Sequence, residues 1–451
     1  MPVARHESSA TDVTPLAQPL KFEFSGRVAK NRLIKAAMEE DLATWHPTNL
    51  EERGVPTRES IELYRRWGEG GWGIILTGNL DIEFDMLDSI GDAIITPECA
   101  PTGSRFEAFR SLASAAKAHG SLILAQVTHP GRQLFAKIRK DTISASALPL
   151  GPLYAEPREA TKGDIERVVE GFAHAASFLE KAGFDGVELH GAHGFLISQF
   201  LSAQSNRRTD EYGGNVANRM RLVVEIAHAI RGRTSREFIL GIKLNSVEFQ
   251  EHGMTPDETR EICETLQREG LDFVELSGGN HADIGFGGEH EKMKDSSIRR
   301  EAYFLEFVRD IVPHLSATKK FLVGGFRTAA SMAKAVSEEG LDGIALGRPA
   351  AQEPRLANDL LSGRVTGTIK PLLEFVLGVW LGVGAAIAQM HQIALGREPF
   401  DSSDASSAQI FKEAYEAKGK AMAEDGDKCE SRMAVSLEST QANVKAYGDA
   451  Y

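Results

Sequence analysis

Two imidazoles stand three residues apart in His190-Gly191-Ala192-His193, followed by Gly194 and Phe195. Imidazole nitrogens can donate to a ligand oxygen or bind a metal. A catalytic metal needs a third ligand, and Glu188, two residues before His190, shares its side of a strand. Three readings stand: a metal site, a core histidine beside a solvated one, and a pair of donors converging on one oxygen. Lys243 interrupts the apolar run Ile242-Lys243-Leu244-Asn245. Lysine is rarely buried without a partner, so this one is expected to point into a ligand-filled mouth. Gln126, within Leu124-Ala125-Gln126-Val127, carries its amide in the same manner or closes an internal hydrogen bond. Val323-Gly324-Gly325-Phe326-Arg327 and Leu346-Gly347-Arg348-Pro349 are glycine turns, each with an arginine. Such turns let backbone N–H groups approach a phosphate, and Arg348 can give it two hydrogen bonds. The plainer alternative is two tight turns and a surface arginine.

These groups are carried by an alternation of short β-branched runs and amphipathic stretches. Strands are expected at Arg32–Ala36, Gly73–Thr77, Leu122–Val127, Gly186–His190, Phe238–Leu244, Phe273–Leu276, Phe321–Val323 and Gly343–Leu346. The helices expected after them are Ile61–Trp67, Phe106–His119, Ile165–Lys181, Met220–Arg231, Glu258–Glu269, Phe304–Val312, Ala329–Glu338 and Gln352–Leu361. Asp164 and Asp257 are the expected N-caps of the third and fifth. Eight strand–helix units predict an α/β fold, a closed (β/α)8 TIM barrel. A doubly wound sheet would want a glycine-rich turn after its first strand, where Ala37-Met38-Glu39-Glu40 has no glycine. Leu20 to Gly26 alternates with period two, as an N-terminal hairpin strand plugging the barrel floor would. Residues 20–365 are therefore assigned to the barrel and 366–451 to a C-terminal helical extension. Its apolar part is expected to pack on the barrel or a partner subunit, and Gln409–Glu424 to form a solvated helix.

In such barrels the chemistry sits at the C-terminal ends of the strands. A phosphate site after the seventh and eighth strands, an inward lysine and amide, and a histidine pair around one mouth suit flavin mononucleotide, with the lysine tuning its electronics.

Composition narrows the classes. Lys+Arg minus Asp+Glu is 51 − 64 = −13, so nucleic acid is an unfavourable partner. The three cysteines, Cys99, Cys263 and Cys429, are far apart, which disfavours a disulfide framework and suits a cytoplasmic protein. The apolar stretch Phe375–Ala388 is shorter than the roughly 20 residues that span a bilayer. Met1–Ala17 lacks an apolar signal core.

His190-Gly191-Ala192-His193-Gly194-Phe195-Leu196, then Phe200-Leu201-Ser202 and the run from Ser205 to Gly214 (Ser-Asn-Arg-Arg-Thr-Asp-Glu-Tyr-Gly-Gly), resemble the Old Yellow Enzyme (NADH:flavin oxidoreductase) family. Lys30-Asn31-Arg32-Leu33, Gln126-x-x-His129-x-Gly131-Arg132-Gln133, Lys243-Leu244-Asn245-Ser246, Val323-Gly324-Gly325-Phe326 and Leu346-Gly347-Arg348 fit the same pattern. The resemblance covers Leu20 to Leu361. It implies an FMN enzyme that reduces activated C=C bonds with NAD(P)H as hydride donor. It also implies that Ala36, Ala37 and Met38 line the flavin, Gly78 and Asn79 approach its pyrimidine side, and Gln126 and Lys243 hold the ring edge. Gly324, Gly325, Gly347 and Arg348 would hold the phosphate, and His190 and His193 the substrate oxygen. Two positions depart from the pattern. The family usually has a proton-donating tyrosine where this chain has Phe195. Where many members have Thr or Cys, this chain has Glu39, followed by Glu40 and Asp41. Ionised, Glu39 would oppose a reduced flavin; desolvated, it would be a proton donor. A solvated loop is the alternative for Glu39 and Glu40. Water or Tyr303 could also supply the proton. A redox isomerase on the same flavin, a metal-dependent hydrolase or aldolase, and a non-catalytic flavin binder are the other classes that these residues leave open.

Overall fold

A computed structural model describes residues 3–6, 8–245, 256–277, 312–372, 379–438, 440 and 445–448. Eight parallel strands close on themselves: β1 Leu33–Lys35, β2 Ile74–Asp81, β3 Leu122–Thr128, β4 Gly186–Gly191, β5 Ile239–Asn245, β6 Phe273–Ser277, β7 Lys319–Val323 and β8 Gly343–Leu346. Closure runs through β1, where Lys35 is in register with Leu346 of β8 and with Ile75 of β2. The (β/α)8 expectation holds, with edges that differ. β7 starts at Lys319, earlier than expected, because Lys319 and Lys320 join the sheet while their ammonium groups reach Glu23 at 3.1 Å and Asp342 at 3.0 Å. β2 runs on to Asp81 past a register shift between Leu76 and Asn79, a bulge that contains Gly78.

The barrel's lower interior holds Ile34, Ile74, Leu76, Leu124, Ile239, Phe273, Phe321 and Ala345. Leu20–Lys21 pairs antiparallel with Val28–Ala29, and this hairpin closes the floor with Phe22, whose ring centroid lies 6.2 Å from those of both Phe273 and Phe321. The larger core lies between strands and helices, filled from α1 (Arg58–Glu69), α2 (Gly103–Lys117), α3 (Lys162–Lys181) and α4 (Val216–Arg231).

Two expected caps move. α3 is capped by Thr161, whose side chain accepts from Asp164 N; Asp164 in turn accepts from Thr161 N, closing a capping box. α5 (Pro256–Arg268) already contains Asp257 in its first turn, where a carboxylate suits the helix dipole. α6 is Ala329–Ser337. The single helix expected over Gln352–Leu361 is two, Arg348–Gln352 and α7 (Leu356–Leu361), because Pro354 breaks the backbone ladder. The expected helix up to Val312 and Tyr303 lie outside the described residues, apart from Val312 itself.

Beyond the barrel come α8 (Val379–Ala394) and α9 (Ala405–Asp425). Ile387, Met390 and Ile393 of α8 join the main core, while α9 buries only Ala408 and Phe411 and is otherwise solvated. Among the described residues no helix is long and apolar enough to cross a membrane.

Candidate functional site

Strand register decides which side chains meet at the mouth. Asn79 pairs with Gln126, Gln126 with Glu188, His190 with Lys243, and Lys243 with Glu275. One arc of the C-terminal rim, from β2 to β6, thus carries most of the polar groups singled out in the sequence.

Gln126 Nε2 donates to Glu188 Oε1 at 2.6 Å. Lys243 Nζ donates to Glu275 Oε1 and stands 3.9 Å from Glu188 Oε1. Lys243, expected from the sequence to point into a ligand-filled mouth, is the cation between two fully buried carboxyl groups. Burial alone would lower its pKa; the charges of Glu275 and Glu188 outweigh that and raise it. Burial, reinforced by Glu275, pushes Glu188 up to about 8. Among the described residues Glu188 Oε2, Glu275 Oε2 and both amide atoms of Asn245 have no hydrogen-bond partner. Buried polar atoms of this kind call for a ligand or ordered water.

The β4 loop brings the imidazoles together, with ring centroids 5.2 Å apart and planes at 88°. Neither is simply a solvated surface group: His190 is buried, and His193 Nε2 is 2.7 Å from Ser277 Oγ. His193 has φ +57°, a left-handed conformation costing about 1–3 kcal/mol in a non-glycine residue. Gln133 Nε2 donates to His193 O at 2.8 Å and holds the turn. Phe195 stacks on His190. The Ser205–Gly214 run that carried the resemblance does structural work. Asn206 Nδ2 donates to Phe200 O and Tyr212 O, both at 2.7 Å, and Arg208 Nη1 to Ala145 O and Ala160 O at 3.2 and 2.8 Å.

On the opposite rim, Val323 pairs with Ala345, so the turns after β7 and β8 leave neighbouring strands. Gly324 and Gly325 have φ +116° and +78°, conformations that expose backbone N–H groups and that side chains resist. Met38 lies beside Gly347, where an added Cβ would meet its Cγ and Sδ at 3.6 Å. Ala36, Ala37 and Met38 therefore adjoin the β8 turn, and Arg348 follows it.

The acidic loop after β1 is packed more than a solvated loop would be: Asp41 is buried, and Glu39 and Glu40 are partly buried. Glu40 Oε1 accepts from Tyr64 Oη, from Gly78 N at 3.1 Å and from Lys35 Nζ at 3.4 Å. Lys35, missed in the sequence, is fully buried on the outer face of β1. It donates to Leu76 O at 2.8 Å and lies 3.9 Å from the Trp67 ring centroid. Burial lowers it to about 8. Glu39 lies beside Asp92, and its Oε1 accepts from Asp41 N at 3.1 Å. Burial, with the charges of Asp92, Asp88 and Asp41, holds Glu39 well above the usual carboxylate range. That environment favours its protonated form. Glu39, Glu40, Tyr64, Gly78, Asn79 and Asp92 line one small cavity of about 30 Å³.

The left-handed glycines, the orphaned Asn245 amide and the donors Gln126 and Lys243 are a set that fits a flavin mononucleotide.

Comparisons with known proteins agree. Residues 15–366 match the NADH:flavin oxidoreductase / NADH oxidase family. The chain is 46% identical over 413 residues to the NADH-dependent flavin oxidoreductase nadA of Aspergillus parasiticus, covering 90% of this chain and 92% of that protein. It is 35% identical to the NADH-dependent flavin oxidoreductase iccE of Talaromyces variabilis, covering 73% of this chain and 83% of that one. Among solved structures, the old yellow enzyme homologue from Zymomonas mobilis shares the fold with a TM-score of 0.64 at 23% identity, over 82% of this chain and 98% of that one.

Proposed function

Because the chain belongs to the NADH:flavin oxidoreductase / NADH oxidase family, we propose that it is an FMN-dependent ene-reductase, reducing activated C=C bonds of α,β-unsaturated carbonyl or related compounds. That it is an NAD(P)H-dependent flavin oxidoreductase follows from the family and the relatives alone. When bound, FMN would supply the hydride shuttle, taking hydride from NAD(P)H and giving it to the substrate's β-carbon in two alternating half-reactions. The name of the Aspergillus relative favours NADH as donor.

In this reading Gly324, Gly325, Gly347 and Arg348 hold the phosphate, and Ala36, Ala37, Met38, Gly78 and Asn79 line the ring. Gln126 and Lys243 are the donors at its edge; their partners on the neighbouring strands, Glu188 and Glu275, hold them in place. His190 and His193 bind the substrate's oxygen and withdraw electron density, stabilising the enolate that develops there. Phe195 brings no proton. Glu39, whose surroundings favour its protonated form, is the acid for the α-carbon or for water in the mouth. We place the enzyme in the cytoplasm, acting on small molecules.

The observation that carries this reading is the convergence of His190 and His193 on the rim that register gives to Lys243. Protein reconstituted with FMN and titrated anaerobically with NADH and NADPH should bleach, then recover colour with an enone, a nitroalkene or a maleimide. His190→Ala and His193→Ala should each weaken substrate binding and turnover. Protein that takes up no FMN, or flavin that no nicotinamide reduces, overturns the reading. A flavin-dependent redox isomerase is the second reading, favoured by Phe195: an enolate without a positioned acid can rearrange. Product formed without net NADH consumption would select it.

A further inference from the structure

The C-terminal segment returns to the loop that follows β1. Arg432 donates through Nη1 to Asp41 O at 2.9 Å and through Nη2 to Ala43 O at 2.8 Å. Ala434 N donates to Asp41 Oδ2 at 2.8 Å. Trp45 Nε1 donates to Cys429 O at 2.7 Å, and His391 Nε2 of α8 donates to Glu40 O at 3.0 Å. The tail therefore engages Glu40, Asp41, Ala43 and Trp45, at backbone and side chain alike.

The residue at the centre of these contacts, Asp41, has φ +53°, in the left-handed region that a residue other than glycine adopts only with local support, Asp more readily than most. Something must hold it there, and the tail's hydrogen bonds fall on both its carbonyl and its carboxylate. From the other side Gly91 allows close approach: a Cβ there would lie 2.2 Å from Asp41 Oδ1. The conformation so held aims Asp41 N at Glu39 Oε1, 3.1 Å away. A donor to that oxygen decides how the Glu39 carboxyl is turned and which of its oxygens carries the proton.

We propose that Arg432 and Asp41 are positioning residues: the C-terminal segment locks Asp41 in its left-handed conformation and thereby sets the Glu39 carboxyl against the flavin. This rests on the reading that a flavin fills the mouth. It gives the tail, which lies outside the barrel, a hand in the chemistry.

The test uses the full-length chain with Arg432→Met, Arg432→Lys, Glu39→Gln and the double variant Arg432→Met/Glu39→Gln. Hydrogen exchange is read in flavin-free protein; the visible spectrum and midpoint potential are read in FMN-loaded protein. Arg432→Met should speed exchange across residues 41–45 by about tenfold or more while the barrel strands keep their protection. It should also shift the flavin band and the potential. Arg432→Lys, which keeps one donor, should recover much of both. In the Glu39→Gln background Arg432→Met should still loosen the loop but leave the potential unmoved. Unchanged loop exchange overturns the lock. A loosened loop with an unmoved potential, or a shift of equal size with and without Glu39, overturns the coupling. If the wild type binds no FMN, the functional reading and the coupling fall together, and the exchange measurement alone decides the lock. If Arg432→Met is too unstable to purify, Arg432→Gln carries the same expectations.

Discussion

The ring of Phe195 lies face to face with the imidazole of His190, centroids 4.2 Å apart and planes 28° apart. Aromatic contacts of this kind are worth about 0.5–1.5 kcal/mol beyond the area they bury. Phe195 thus fixes the tilt of an imidazole without offering a proton. Phe195→Tyr adds a hydroxyl to a ring already seated beside His190. The expected outcome is faster reoxidation of pre-reduced enzyme by an enone in stopped flow, by up to the ~10²–10⁴ that a positioned acid supplies. An unchanged rate would locate the proton source elsewhere, with Glu39 the first group to replace.

Lys243 sits between Glu188 and Glu275, and its removal leaves two buried carboxylates facing each other. Breaking a buried pair by taking one partner costs about 3–5 kcal/mol. Lys243→Met should lower the unfolding free energy on that scale, measured by denaturant titration, and abolish FMN uptake. The loss should be larger at pH 9 than at pH 6, because Glu188, already pushed up to about 8 by burial and by Glu275, is protonated at the lower pH. Lys243→Met/Glu275→Gln should recover part of the loss.

What the sequence made legible follows from how local each signal was. β8 coincides with the run Gly343–Leu346, and the histidine turn and both glycine turns stand where their strands end. A lone cation in an apolar run marked Lys243, and the same signal was present at Lys35. Side chains alternate across a strand, so Lys35 faces Trp67 and Tyr64 instead of the mouth. Glu275 could not be assigned to Lys243 before the register of β5 on β6 was known. Arg432 and Asp41 are 391 residues apart, and no periodicity links them. The partly buried state of Glu39 likewise depends on Asp92 and on packing that local pattern does not contain.

Asp41 predicts a slope of stability with pH. Burial raises it from 3.8 to about 7, against the opposing influence of Ala434 N–H, Arg432 and Lys418. The folded chain holds a proton through that window that the unfolded chain has released. The stabilisation is complete below 3.8 and is lost as pH rises through about 7. Asp88, raised to about 6 by burial, adds the same sign. Lys35, lowered to about 8, acts only above that pH, where stability regains with rising pH as the unfolded lysine keeps its proton longer. Calorimetry should therefore give a higher Tm at pH 5.5 than at pH 7.5. Asp41→Asn should shrink that difference without removing it, since Glu39 also faces Asp41 and titrates with the same sign.

Gly78 marks the closest approach of two loops that the flavin reading requires. An added Cβ would lie 2.4 Å from Met38 O and 3.4 Å from Glu40 Cδ. The first neighbour is backbone, which cannot swing aside, and Gly78 N is already committed to Glu40 Oε1 at 3.1 Å and Tyr64 Oη at 3.3 Å. Gly78→Ala must therefore push the β2 bulge away from the loop after β1, and overpacking of this kind costs about 1–3 kcal/mol. Displacing Met38 and Asn79 together should weaken FMN binding by about tenfold or more, the equivalent of about 1.4 kcal/mol. Gly419→Ala is the control: nothing lies within 4 Å of its added Cβ on the solvated α9, and alanine there should stabilise by about 0.5–1 kcal/mol. Fluorescence titration with FMN and thermal unfolding separate the two effects. If Gly78→Ala loses stability but binds FMN as the wild type does, the junction of the β1 and β2 loops braces the barrel without touching the flavin.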